Sequence, residues 1–397
     1  MSNRIQILVL MSCYLPGYKA GGPIRSISGM VDSLGDEFDF RVLTLDRDLG
    51  ETEPYPGIVP GTWMPVGKAQ VMYLPPKRIG LGSLRRILRE TPHDIVYLAG
   101  GFDPQFVLRS LLLRRLGLVK MRSVVVAPQG VFSKGALRIR ASKKQSFLAL
   151  ARSIGLYEGV TWHVSTVFEK HDVRRALRLR HKPHFASVAP DISSIPDDQP
   201  QFQPRKSSGR LQVVFLSRIS PMKNLDGALR ILQGIDVPLD FHIYGPVEDA
   251  AYWRVCEREI RQLPTDVSAA YHGPIAHSDV AKVMRSHDLF FLPTHGENFG
   301  HVIVEALRQG CPALIANNTA FRNLERKGAG WDLPLDDVDG FRRILRKCAA
   351  MSPEERLSWS EGAHQFVVEM TANGRITDKY RAAFHEILTR HNLARAA

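Results

Sequence analysis

Two kinds of hydrophobic pattern alternate along this chain. Short apolar or β-branched runs predict buried strands, and in the first half they cover residues 5–11, 40–45, 95–99 and 124–127. Between several of these runs apolar residues recur at helical spacing, which predicts helices over 24–34, 84–89, 104–116 and 134–153. Such alternation is typical of a doubly wound parallel sheet. The first half is therefore predicted to be a Rossmann-like α/β domain.

The second half repeats the alternation more clearly. Its predicted strands cover 211–216, 239–244, 267–271, 289–292 and 313–315. Its predicted helices cover 224–232, 250–263, 278–285 and 301–308, and two further helical patterns follow over 354–370 and 377–391. Open α/β sheets bind ligands beyond the carboxyl ends of their strands. We therefore expect an active site in a cleft between two facing sheets.

Prolines punctuate the junction between the two halves, at Pro190, Pro196, Pro200 and Pro204. A chain of 397 residues also exceeds the usual size of a single hydrophobic core. We predict a first domain at 1–190, a linker at 191–209, a second domain at 210–375 and a terminal helix at 376–397. That helix is expected to pack back on the first domain.

Composition narrows the class of protein. With 44% hydrophobic and 23% charged residues, the chain is an ordinary globular protein and wholesale disorder is excluded. The apolar run at the start is too short to span a bilayer and lacks a good signal-peptidase site, so it is interpreted as a first buried strand. The cysteines lack zinc-site spacing and are predicted to be buried thiols in a reducing cytosol: Cys13, Cys256, Cys311 and Cys348.

The positive charge is concentrated in one segment. The net charge is +13, and residues 109–182 contain 17 Lys and Arg against Glu158, Glu169 and Asp172. Such a field attracts nucleic acid or an anionic membrane face. Nucleic-acid-binding motifs are absent, and leucines lie among the cations, which favours the membrane. A solvated basic face remains the alternative, and core packing explains the same leucines: Leu111, Leu112, Leu113, Leu116 and Leu118.

The strongest chemical motif runs from Gly296 to Glu305, after the predicted strand 289–292 and into a helix. Glu297 lies in the loop, where free backbone amides bind anions or sugar hydroxyls. Glu305 lies about two helical turns further along, and its carboxylate suits two hydroxyl groups of a ribose. Helix capping and a solvated face are the alternatives for this spacing taken alone.

Two other loops suit phosphate. Arg218 and Lys223 follow the first strand of the second half, and a guanidinium fork with a point charge near a helix start suits a diphosphate leaving group. Gly21 and Gly22 follow the first strand of the chain and permit close approach of backbone to phosphate before a helix begins at Pro23. Taken separately, the first motif also fits scattered surface cations and the second an ordinary turn.

Together and in this order, the three motifs resemble family 4 of the retaining GT-B glycosyltransferases over nearly the whole chain. The most specific part runs from Ser286 to Pro293 and on to Glu305, with glycine turns at Gly245 and Gly273. The resemblance implies two doubly wound Rossmann-like domains that face each other across a cleft. It also implies a nucleoside-diphosphate sugar donor, retention of anomeric configuration and no metal or other cofactor.

The resemblance also implies roles for single residues. Arg218 and Lys223 would bind the donor diphosphate, Glu305 the nucleotide ribose and Glu297 the transferred sugar. Further donor contacts would come from the amides of Asn298, Phe299, Gly300, Val302 and Ile303 and from Gly21 and Gly22, with Gly22 closing over the donor.

The first domain departs from the family pattern at one point. Where many members carry a histidine near the donor sugar, this chain has Gln129. A glutamine hydrogen-bonds a hydroxyl but transfers no proton, so catalysis is not expected to depend on a general base there. His163 is the alternative sugar or acceptor contact, although a lone histidine beside Trp162 is more often structural.

These features predict a hexosyltransferase. Its acceptor is expected to be a lipid-linked saccharide in surface polysaccharide assembly, and its location the cytoplasmic face of an anionic membrane. No second carboxylate is clearly placed for double displacement, which favours front-face attack in which a donor phosphate oxygen takes the acceptor proton; Glu297 as nucleophile is the less favoured route. A sugar-nucleotide epimerase or hydrolase of the same architecture and a nucleic-acid-binding protein are the alternative functions.

Overall fold

The chain consists of two compact units. The computed structural model describes residues 4–138, 141–178, 183–185, 202, 209–371 and 375–396. The first unit contains Met1–Pro196 together with Gly374–Ala397, and the second contains Asp197–Asn373. The linker predicted at 191–209 lies outside the described residues apart from Phe202 and Gly209.

The first unit is built on an eight-stranded sheet. Its strands are β1 (Gln6–Leu10), β2 (Asp39–Leu45), β3 (Trp63–Val66), β4 (Ala69–Leu74), β5 (Ile95–Ala99), β6 (Ser123–Ala127), β7 (Thr161–Trp162) and β8 (His184–Phe185). Their order is β3-β4-β2-β1-β5-β6-β7-β8, and all pairs are parallel except β3 with β4. Helices of this unit are α1 (Gly22–Leu34), α2 (Leu81–Glu90), α3 (Val107–Arg115), α4 (Lys134–Arg138), α5 (Ala141–Ser153) and α6 (Val167–Leu177).

The prediction for the first unit omits β3, β4, β7, β8 and α6, and it merges two helices into one. The sequence analysis does not include the β3–β4 hairpin, whose first strand is only four residues long and contains Pro65. Proline donates no hydrogen bond to a ladder and is confined to edge strands, which is where β3 lies. The single helix predicted over 134–153 is two helices, α4 and α5.

The second unit contains a six-stranded parallel sheet in the order β11-β10-β9-β12-β13-β14. The strands are β9 (Leu211–Leu216), β10 (Leu239–Tyr244), β11 (Val267–Gly273), β12 (Leu289–Leu292), β13 (Ala313–Ala316) and β14 (Gly330–Leu333). Its helices are α7 (Leu225–Leu232), α8 (Ala250–Ile260), α9 (His277–Arg285), α10 (His301–Arg308), α11 (Val338–Ala350) and α12 (Pro353–Thr371). All the predicted elements are present, and β14 and α11 are additional.

This strand order fixes where a ligand is expected. The chain builds outward from β9 to β10 and β11, and then returns to the other side of β9 with β12. The loops after β9 and β12 therefore diverge at the carboxyl edge and leave a crevice between them. β12 and β13 are buried along their whole length, as expected for central strands covered on both faces. Two Rossmann-like units confirm the predicted fold class.

The terminal helix α13 (Arg375–Ala396) belongs to the first unit. Tyr380 and Phe384 are buried in the core on the same side of the sheet as α1, where the ring of Phe384 contacts Phe38 edge-on. Arg381 holds Glu37 through two nitrogen atoms, at 2.6 and 2.7 Å. Among the helices that the structure describes, none is long and apolar enough to cross a bilayer.

The cysteines are buried free thiols, as predicted. Burial, with smaller contributions from Asp48 and Asp103, raises the pKa of Cys13 to about 11. Burial likewise raises the pKa of Cys256 and of Cys348 to about 12. Because thiolate is the reactive form, burial disfavours reaction of Cys13, Cys256 and Cys348 at neutral pH.

Candidate active site

The loop after β9 carries the two predicted cations. Arg218 donates from Nη1 to Oε1 of Glu248 at 2.9 Å, and the two side chains are 42% and 47% exposed. Lys223 ends a short 3₁₀ turn, Pro221–Lys223, and its Nζ forms an ion pair with Oε1 of Glu297. Asn224 then adopts a left-handed conformation, with φ 57°, and α7 begins.

The loop after β12 is joined to the β9 loop by hydrogen bonds. The N–H of His295 and the hydroxyl of Thr294 both donate to the carbonyl of Met222, at 2.9 and 3.0 Å. Asn224 Nδ2 donates to the carbonyl of Pro293 at 2.7 Å. The sequence analysis does not identify Thr294 or Asn224 as site residues. An asparagine before a helix predicts a helix cap, but the sequence does not show that the Asn224 side chain bonds to Pro293 in the loop after β12.

These contacts bring Lys223 and Glu297 together although 74 residues separate them. Their side chains are only 13% and 9% exposed. Gly300, with φ 91°, is the N-cap residue of α10, and Glu305 lies half-buried on this helix. Lys223 and Glu297, which the sequence analysis assigns to separate motifs, therefore lie side by side at the carboxyl edge of the second sheet.

The backbone N–H groups at the start of α10 differ in whether they already have a hydrogen-bond acceptor. The N–H of Ile303 donates to the carbonyl of Gly300 at 2.8 Å, so it already has an acceptor, contrary to its predicted availability for phosphate. The N–H of Val302 makes no hydrogen bond within the described residues. The Phe299 side chain is buried against Phe321 and His301, so only its backbone is left for a ligand. Amides at a helix start suit anions.

The glycine loop of the first unit is held by a carboxylate that the sequence analysis missed. Asp48, buried beyond β2, accepts from the N–H groups of Tyr18 and Lys19 at 2.8 and 3.1 Å and from Leu49 at 2.7 Å. Gly21 follows with φ 66°, a conformation that favours glycine, and Gly22 begins α1. The loop is thus fixed at the carboxyl edge of the first sheet.

Gln129 follows β6 in a left-handed conformation, with φ 54°, and Gly130 repeats it with φ 77°. Glu169 of α6 holds this turn: its Oε1 accepts from the N–H of Gly130 at 2.6 Å and its Oε2 from the N–H of Ser165 at 2.8 Å. Glu169 is buried. The Gln129 side chain is half-buried and makes no hydrogen bond within the described residues, so its amide is available to a ligand.

His163 lies in the interior of the first unit. Its Nδ1 is 2.7 Å from the hydroxyl of Tyr97, and its ring stands edge-on to Tyr380 of α13 at 4.6 Å. The side chain is buried. The structure therefore assigns His163 to packing, the role that the sequence analysis weighed against a sugar contact.

The second unit thus brings Lys223 and Glu297 together between the loops after β9 and β12, and Arg218 lies in the same β9 loop, where it contacts Glu248. Two cations and a helix start suit a diphosphate. Gly21, Gly22 and Gln129 lie at the carboxyl edge of the other unit's sheet. Within the described part of the chain, no three His, Cys, Asp or Glu side chains are grouped to hold a metal ion.

Comparison with known proteins gives a family match within the second unit. Residues 197–366 match the family described as glycosyl transferases group 1. That match contains β9 to β14. It also contains the two predicted cations, Arg218 and Lys223, and the two glutamates of the motif, Glu297 and Glu305. The match therefore covers nearly the whole second unit, which is similar to a glycosyltransferase domain.

Two curated relatives and one solved structure are informative. The chain is 31% identical over 160 residues to a phosphatidyl-myo-inositol mannosyltransferase from Mycolicibacterium smegmatis. The matched residues make up 39% of this chain and 40% of the relative. It is 28% identical over 195 residues to a D-inositol 3-phosphate glycosyltransferase from Rhodococcus erythropolis, 44% of this chain and 42% of the relative. The chain thus spans about two fifths of these relatives.

The solved structure is HepE from Anabaena, in complex with UDP and glucose. It superposes with a TM-score of 0.66 at 15% identity, over 96% of this chain and 100% of HepE. At this identity the likeness shows the GT-B fold alone.

Proposed function

We propose that this chain, whose second unit matches the group 1 glycosyl transferases, transfers a hexose from a nucleoside-diphosphate sugar to a saccharide acceptor with retention of configuration, as family 4 enzymes do. The observation that carries the proposal is the contact between the loops after β9 and β12, where Lys223 meets Glu297 shortly before the start of α10. Arg218 adds a second cation on the same β9 loop. The mannosyltransferase and HepE support it by their names and ligands.

In this proposal the protein stabilises the leaving group by charge. Arg218 and Lys223 bind the donor diphosphate as negative charge grows on its oxygen, which favours departure. Glu305 binds the ribose and Glu297 the sugar. The acceptor attacks from the face that the diphosphate leaves, and a phosphate oxygen takes its proton. The proposal includes no metal ion, because the two cations supply positive charge at the diphosphate.

The proposed acceptor is lipid-linked, and a surface of the first unit supports this. Leu116, which follows α3, and Leu150 of α5 are each 59% exposed, and Leu118 and Ile154 are exposed as well. Arg115 Nε donates to the carbonyl of Ile154 at 2.6 Å, which joins the ends of the two helices. We call these residues, with the neighbouring exposed Lys120 and Lys143, the α3–α5 surface.

Apolar side chains among cations suit the interface of an anionic membrane. A mannosyltransferase named for phosphatidyl-myo-inositol, a lipid, is among the relatives. We therefore propose that the enzyme binds the membrane peripherally through the α3–α5 surface, from the cytoplasmic side, in surface polysaccharide assembly.

A panel of UDP-, GDP- and ADP-sugars tests the proposal by thermal unfolding. A donor at 100 times its dissociation constant stabilises the folded state by about 2.7 kcal/mol. We expect one nucleotide class to stabilise the wild type and to lose this effect in Arg218→Ala. Product analysis by NMR then separates the activities, because transfer with retention supports the proposal, whereas free sugar or an epimer without transfer indicates a hydrolase or an epimerase.

A further inference from the structure

Arg218 is engaged by a carboxylate that no motif contains. Glu248 lies in the loop after β10, and its Oε1 accepts from Arg218 Nη1 at 2.9 Å. Within the described residues, Arg218 is the only partner of the Glu248 carboxylate. Replacement of the Glu248 carboxylate therefore breaks no contact other than the one with Arg218.

The backbone holds this pair in place. The N–H of Ile219 donates to the carbonyl of Pro246 at 2.9 Å, and the N–H of Glu248 donates to the carbonyl of Ile219 at 3.2 Å. Gly245 allows the two loops to approach so closely, because a Cβ there would lie 1.9 Å from the carbonyl oxygen of Ser217. Glu248 is thus fixed beside Arg218 by contacts between the loop after β9 and the loop after β10.

We propose that Glu248 is a built-in competitor of the donor diphosphate for Arg218, an inference that rests on the proposed function. A diphosphate that binds the guanidinium must displace or share the Glu248 carboxylate, and the two anions also repel each other. Glu248 thereby lowers the affinity of the site for the donor and, after transfer, for the nucleoside diphosphate product.

A lowered affinity for product has a kinetic use. Both the substrate and the product carry a diphosphate, and release of product limits the turnover of many enzymes. The Lys223–Glu297 pair differs from the Arg218–Glu248 pair, because its carboxylate, Glu297, is also assigned to binding the sugar. Glu248 therefore tunes affinity without contacting the reacting atoms.

The effect is expected to be modest because the pair is exposed. Ion pairs between exposed side chains contribute at most about 1 kcal/mol, which corresponds to about a fivefold change in dissociation constant. We expect Glu248→Gln to bind a diphosphate about two- to fivefold more tightly. The gain should decrease as salt increases, since salt screens exposed charges.

The sign of the change tests the inference. Wild type and Glu248→Gln are compared by calorimetric titration with inorganic pyrophosphate, UDP, GDP and ADP. If Glu248 merely orients Arg218, its removal weakens binding, whereas competition predicts tighter binding. The matched control is Asp236→Asn, because Asp236 forms a similar exposed pair with Arg346 at 2.6 Å. Asp236 precedes β10, at the opposite edge of the sheet, and its variant should bind like wild type.

Arg218→Ala separates the two possible failures. If none of the four probes binds, or if Arg218→Ala binds them as tightly as wild type, the proposed diphosphate site is wrong. If Arg218→Ala binds more weakly but Glu248→Gln shows equal or weaker binding than wild type, only the competition is wrong. We expect Glu248→Gln to have a much smaller effect in the Arg218→Ala background than in wild type.

Discussion

Lys223 and Glu297 form an ion pair that is nearly removed from water, with 13% and 9% of their side chains exposed. The Met222 carbonyl, which accepts from both Thr294 and His295, holds the two loops in contact. A nearly buried charge is costly to leave without a partner. Under the proposed function, a donor diphosphate would have to share Lys223 with Glu297, so the carboxylate proposed to bind the sugar would lie next to the departing phosphate.

The first prediction concerns the coupling of this pair. Lys223→Met and Glu297→Gln should each lower the free energy of unfolding by about 1 to 3 kcal/mol, because each leaves the partner uncompensated. The double variant should lose less than the sum of the two. Urea unfolding of all four proteins measures the coupling, and the exposed pair Arg346 and Asp236 is the control, with a coupling below about 1 kcal/mol. Strictly additive losses would contradict the prediction.

The second prediction separates the two glutamates of the motif. Glu305→Gln should mainly raise the donor KM, because the ribose is bound equally in the ground and transition states. Glu297→Gln should mainly lower kcat, because contacts to the sugar change as its bond to phosphate breaks. Steady-state kinetics with varied donor distinguishes them. The opposite result would exchange the two assignments.

The sequence predicts much of this site because its signals are local. The β9 loop and the β12 loop each follow a short apolar run, and parallel strands place such loops at one edge of the sheet. Pairings across loops carry no local signal. The Arg218 contact with Glu248 depends on Gly245, 27 residues further along the chain, and on a register that only folding sets. Glu169 illustrates the same limit, because its carboxylate accepts from the N–H of Gly130, 39 residues earlier in the chain.

The third prediction concerns Gln129 and the residue that positions it. Gln129→Ala should lower kcat/KM without changing the shape of its pH profile, because an amide does not titrate. Glu169→Gln should lower activity as well and reduce stability by about 1 to 3 kcal/mol, since one buried N–H loses its acceptor. Asp172→Asn, on the same helix, is the control and should stay active. Full activity of Glu169→Gln would show that the Glu169 carboxylate does not position Gln129.

The fourth prediction concerns pH. Burial, together with the charge of His272, lowers the pKa of His242 below its usual 6.5, and His242 Nδ1 lies 2.9 Å from His272 Nε2. The folded state therefore favours the neutral ring. Its contribution to stability is complete above about pH 6.5 and is lost as the pH falls below that value, where the unfolded chain binds the proton more tightly.

Urea midpoints at pH 7.5 and 5.5 should therefore differ less in His242→Gln than in wild type. His295→Gln, at an exposed position on the β12 loop, is the control and should keep the wild-type difference. An unchanged pH dependence in His242→Gln would show that other groups set it.

The last prediction concerns the α3–α5 surface. Wild type should pellet with anionic vesicles and dissociate as salt rises, because each Lys or Arg near the surface contributes roughly 1 kcal/mol, screened over about 8 Å at physiological salt. The variant that combines Leu116→Ser, Lys120→Ser, Lys143→Ser and Leu150→Ser should pellet less, yet keep its affinity for a nucleoside diphosphate. Arg254→Ser with Lys282→Ser removes two exposed cations of the second unit and should pellet like wild type. Equal binding to neutral and anionic vesicles, or full activity of the fourfold variant on a membrane-embedded acceptor, would make this surface a solvated face and point to a soluble acceptor.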